Sequence, residues 1–106
     1  MYPKLILAAA LVAVFGITQT ANAAEVVITQ KAKKFDVKKV DIKAGDSIKF
    51  VNSDSITHNV YSSKGMKFDL GAQKPGDSSS QTFDKAGKFR VRCAIHPKMK
   101  VTVNVN

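Results

Sequence analysis

Residues 88–105 decide how this chain folds: Lys88-Phe89-Arg90-Val91-Arg92-Cys93, then Ala94-Ile95-His96-Pro97-Lys98-Met99, then Lys100-Val101-Thr102-Val103-Asn104-Val105. The last six residues place valine at every second position, the period of a strand with one buried face. The first six alternate the same way through Phe89 and Val91. The middle six then form a tight loop between two strands.

Reading outward, Ser80–Phe83, a turn over Asp84–Gly87 and the strand from Lys88 predict strand, turn, strand. Lys38–Ile42, the turn Lys43-Ala44-Gly45-Asp46 and Ser47–Val51 predict a second such unit. Glu25–Thr29 and Asn59–Ser62 are shorter candidates, and Ser63–Ser79 reads as the longest irregular region. After Ala23 there are ten Val and five Ile against the single Leu70. β-Branched residues suit a pleated sheet, and no segment there shows a helical period. The expected fold class is all-β, an antiparallel sandwich or small barrel.

The N-terminus predicts export. Lys4 is followed by the uncharged apolar run Leu5–Ile17 and then by Ala21-Asn22-Ala23. A basic start, a short apolar stretch and an A-x-A site are the parts of a secretory signal peptide over 1–23, directing the protein to the periplasm. The apolar run spans 13 residues, short of the roughly 20 that a membrane-spanning helix needs. Cleavage after Ala23 takes one of the 17 basic residues and none of the 8 acidic ones, leaving 16 against 8, a net charge of +8. Residues 24–106 then make one domain with no membrane span, too short for a multidomain enzyme. Cys93 is the only cysteine, so no disulfide forms within the chain. In an oxidising compartment such a thiol should be protected or occupied.

Cys93, His96 and Met99 form a C-x2-H-x2-M cluster, and His58, the only other histidine, lies 35 residues upstream of Cys93 at a strand start. A thiolate, two imidazoles and a thioether are the donor set of a blue-copper electron-transfer site. Zinc accepts Cys and His, but a thioether serves it poorly. Met66 is a rival fourth donor on a longer loop.

The chain resembles the cupredoxins over about residues 33–106, in particular their amicyanin and plastocyanin type. Thr57-His58-Asn59-Val60 is similar to the segment around their first histidine ligand. Val40 to Ile48 resembles their V-x-V-K-x-G-D-x-V hairpin, and Ala86 to Cys93 their approach to the cysteine. The resemblance implies a Greek-key β-sandwich with one type 1 copper held by His58, Cys93 and His96, with Met99 axial. It implies that Asn59 ties the two ligand loops together and shields the sulfur, and that His96 forms the partly exposed edge where electrons pass. Ile95 and Lys98 depart from the usual Pro and aromatic, making the His96 surroundings more basic.

The function expected is that of a soluble, monomeric one-electron carrier, not an enzyme, since four ligands leave no open substrate position. Its partners would be redox proteins, a dehydrogenase or a cytochrome, with an acidic docking surface suited to the basic chain. A copper-handling role as scavenger, buffer or chaperone is the alternative, and a metal-free module with a buried cysteine the third reading. No stripe of basic and aromatic residues of the kind used for nucleic acid is present.

Overall fold

The computed structural model describes residues 23–106. Nearly all of the expected signal peptide, residues 1–22, lies outside the described residues. Nine strands follow: β1 (Glu25–Lys31), β2 (Lys34–Phe35), β3 (Lys39–Ile42), β4 (Asp46–Asn52), β5 (His58–Ser62), β6 (Phe68–Gln73), β7 (Ser78–Phe83), β8 (Gly87–Cys93) and β9 (Lys100–Val105). They form two sheets, β2-β1-β4-β7 and β3-β9-β8-β5-β6. Among the described residues no helix is long and apolar enough to cross a membrane.

Alternation builds the core. Ile28, Ile48, Phe50 and Phe83 from the first sheet meet Val60, Val91, Val101 and Val103 from the second, all at most 1% exposed. Each such side chain contributes about 1.5–3 kcal/mol by leaving water. Phe83 meets Phe68 edge-on at 5.7 Å between ring centroids, closing the sandwich on the β6 side. Gly65 packs the β5–β6 loop over the β8 ring. Its φ is 71°, and a Cβ there would stand 2.5 Å from the Phe89 ring.

Two expectations need correction. The stretch Ser63–Ser79 is not irregular throughout, because β6 runs through it. Gly71, at φ 78°, and a register shift between Asn59 and Tyr61 break the alternation that would have marked it. The sandwich is also not purely antiparallel: β1 runs parallel to β4 and β3 parallel to β9. Alternation reports which face is buried and carries no strand direction.

A buried polar cluster braces the segment leading into β5. Gln30 Nε2 donates to Gln73 Oε1 at 2.7 Å, and Gln73 Nε2 donates to the Phe50 carbonyl at 3.1 Å. Asn52 Nδ2 donates to the carbonyls of Ile56 and Gln73 at 2.9 and 2.8 Å. Gln30, Asn52 and Gln73 are at most 1% exposed, so each lost bond would leave a buried polar group unpaired at about 1–3 kcal/mol. This cluster fixes residues 53–57, and through them the start of β5.

Candidate metal centre

Strand register aims the first two donors. β5 and β8 pair antiparallel with Val60 opposite Cys93. His58 stands two residues before Val60, so it points to the same inner face and is the diagonal neighbour of Cys93. Both side chains are buried. Loop closure supplies the third donor. β8 ends at Cys93 and β9 begins at Lys100, leaving the loop that the sequence predicts. The Met99 amide donates to the His96 carbonyl at 2.9 Å and the Cys93 amide to the Met99 carbonyl at 3.3 Å. Pro97 holds His96 out of the helical region.

These constraints bring together three of the four residues singled out from the sequence. His58 Nδ1 lies 3.2 Å from His96 Nδ1, and Cys93 Sγ lies 3.8 Å from the former and 3.6 Å from the latter. The centre of a triangle with these sides is about 2.1 Å from each corner, inside the ~2.0–2.3 Å at which imidazole nitrogen and thiolate sulfur bind a first-row ion such as zinc. Lone pairs converging this closely repel unless a cation or a shared ring proton sits among them. The donor set therefore fits a copper ion, which favours imidazole with soft thiolate. Met99 is 2% exposed, and its backbone ties both ends of the loop. Met66 is half-buried against the core on the β5–β6 side.

The sequence reading missed Asp54. Its Oδ2 lies 2.9 Å from His58 Nε2. Asp54 also accepts the Lys33 amide at 2.9 Å and the Ser55 amide at 2.9 Å. Its carboxyl is lowered from an ordinary 3.8 to about 2, chiefly by the Lys33 amide and next by His58. An ionised carboxylate only accepts, so Nε2 carries the ring proton and Nδ1 presents its lone pair to the other donors. A carboxylate behind a metal-binding imidazole fixes tautomer and ring orientation in this way. The one sequence signal was an acid four residues before a candidate ligand.

Asn59 links the two ligand segments through its backbone and not through its side chain. Its backbone amide donates to Cys93 Sγ at 3.3 Å, so the sulfur is hydrogen-bonded. Its side chain reaches Asp69 Oδ1 at 2.7 Å and the Gly71 carbonyl at 3.1 Å, on β6 and not on the cysteine loop. Next to inward-facing His58, it has to point outward.

Comparison with known proteins agrees with this centre. Residues 22–106 match the family described as copper binding proteins, plastocyanin/azurin family. The chain is 32% identical to amicyanin-alpha of Methylorubrum extorquens, covering 82% of this chain and 76% of that protein. It is 37% identical to the methylamine utilization protein MauL of the same organism, over 59% of this chain and only 57% of MauL. A solved amicyanin mutant in its reduced state superposes with a TM-score of 0.71 at 27% identity, covering 77% of this chain and 82% of that one. A copper-containing nitrite reductase from Thermus scotoductus shares the fold at a TM-score of 0.72 and 24% identity, over 77% of this chain but 22% of that larger chain.

Proposed function

The chain belongs to the plastocyanin/azurin family of copper-binding proteins, and from that premise we propose that it is a periplasmic one-electron carrier. The observation that supports this most is the triangle of His58 Nδ1, Cys93 Sγ and His96 Nδ1. In this reading these three residues and Met99 would hold a copper ion, and copper bound there would supply one exchangeable electron, as Cu(I) in one state and Cu(II) in the other.

The residues do the rest. The two strands and the short loop hold the three donors together, an arrangement that would keep rearrangement on electron transfer small. The Asn59 amide on Sγ and Asp54 behind His58 tune the donors. His96, half-exposed, is the ligand within reach of a partner. Export through the signal peptide places the carrier among periplasmic redox proteins, and it acts as a monomer. Its proposed partners are redox proteins, a dehydrogenase or a cytochrome; one relative is named a methylamine utilization protein.

The test is to express residues 24–106, add one equivalent of Cu(II) and record visible and EPR spectra. An intense blue thiolate-to-copper band with narrow hyperfine splitting is expected. A colourless protein, or an ordinary square-planar signal, would overturn the reading in favour of copper handling. Met99→Gln should keep the blue band and lower the reduction potential; an unchanged potential would remove Met99 from the proposed ligands.

A further inference from the structure

The two sheets show very different faces to water. Outward positions of the first sheet mix hydroxyl, apolar and charged side chains: Thr29, Ser47, Ser78, Ser80 and Thr82, then Val27 and Val51, then Lys31, Lys34, Lys49 and Glu25. Ser47 and Thr82 hydrogen-bond to each other, and Ser80 to Glu25. Outward positions of the second sheet hold Lys39, Lys88, Arg90, Arg92 and Lys100. None of these five is ion-paired with an acid among the described residues. The two acids on that face stand toward its edges, Asp41 bonded to Asn104 and Asp69 to Asn59.

Register aligns these charges. Arg92 sits directly opposite Lys100 on the neighbouring strand, a like-charge pair that destabilises a sheet; the first sheet has one such pair at its edge, Lys31 opposite Lys34. Lys39, Thr102 and Arg90 form one cross-strand row. A surface that only has to stay wet gains nothing from such stacking, because alternating charges solvate equally well and pair besides. Two hollows, of about 470 and 770 Å³, indent this face and share Arg90 and Thr102. No acid lines either one among the described residues. Exposed Val37 lines the first and partly buried Tyr61 the second, with Phe35 and Phe89 buried in the core behind them. Arginine with aromatic and apolar relief is the composition of a protein-binding patch.

The face also lies against the metal centre. Arg92 precedes Cys93 and is register-paired with Tyr61, while Lys100 follows Met99, which lines the first hollow. We propose that the outer face of the β3-β9-β8-β5-β6 sheet, centred on Arg90, docks a carboxylate-rich surface of a redox partner protein. The proposal rests on the electron-carrier reading and names a docking face distinct from the exposed edge of His96.

The test uses the copper-loaded protein processed from the full chain, with cytochrome c as probe in two forms: native, which is basic, and succinylated, which is acidic. Electron exchange is timed by stopped flow against ionic strength, and amide shifts are mapped by NMR. The succinylated form should react about tenfold or more faster at low salt, the two rates converging as salt screens the charges. Lys39→Glu/Arg90→Glu should lose about tenfold of that rate, whereas Lys31→Glu/Lys49→Glu, with the same change in net charge on the other sheet, should lose less than about threefold. Shifts should gather on β3, β8 and β9. Equal losses in the two variants, or shifts confined to the surroundings of His96, would overturn the proposal. Hexacyanoferrate separates the two readings: a blue protein that exchanges electrons with it but shows equal losses keeps the carrier role and loses this face, while failure to exchange with it sinks the carrier role. Arg90-dependent binding to phosphatidylglycerol vesicles or duplex DNA, without binding of succinylated cytochrome, would give the face to another polyanion and overturn the proposal.

Discussion

The two imidazoles of the metal centre are held by opposite means. His58 is fully buried at a strand start, its far nitrogen bonded to Asp54 and its segment braced by Asn52 and Gln73. His96 is half-exposed on a loop closed by two backbone bonds. The fold thus fixes one donor before any ion arrives and leaves the other to the loop. A centre built this way combines a rigid half, which sets donor geometry, with an accessible half.

Removing the corner that both halves share should have the largest effect. Cys93→Ser is expected to abolish the visible band completely, since the soft thiolate is the only donor of its kind in the chain. Optical titration with Cu(II) checks this; a surviving blue band would mean that the colour does not arise at Cys93.

Separating the halves comes next. His58→Gly empties a fully buried site and strips the Asp54 carboxylate of its ring partner. It should cost about 2–4 kcal/mol of metal-free stability. His96→Gly removes a half-exposed ring and should cost under about 1 kcal/mol. Added imidazole should restore the blue band in the His96 variant and fail in the His58 variant. Urea unfolding and visible spectra report both quantities, and equal rescue would erase the distinction between the two sides.

The same division explains what was legible in the sequence. The loop's two corners of the triangle were visible, because Cys93 and His96 lie three residues apart and the flanking strands alternate cleanly. The strand half was visible only as His58 itself. Its support comes from Gln30, Asn52, Asp54 and Gln73, which meet by sheet register across 43 residues of chain. Polar residues at inward positions look like breaks in a hydrophobic pattern, so alternation hides the network that it aligns. β6 went unread for a related reason, as Gly71 and the register shift opposite it interrupt the period. The charged sheet face was present in the sequence as alternate residues of β3, β8 and β9. It became a surface only once the parallel pairing of β3 with β9 set Lys39 in line with Arg90.

The smallest effect tests the hydrogen bond that makes the His58 side rigid. Asp54 is lowered to about 2 in the folded protein from an ordinary 3.8, first by the Lys33 amide and then by His58. A carboxyl depressed by folding binds fewer protons in the native state, so its contribution is complete above about pH 4 and is lost as the pH falls toward 2. The metal-free protein should therefore lose stability across that interval, and Asp54→Asn should lose less of it while starting lower at pH 7. Thermal unfolding followed by circular dichroism at pH 7, 4, 3 and 2 measures both slopes. Parallel slopes would mean that the carboxylate gains nothing from the Lys33 amide or from its place behind His58. The rigidity of that side would then rest on the buried amides alone, and Asn52→Ala would become the substitution that loosens it.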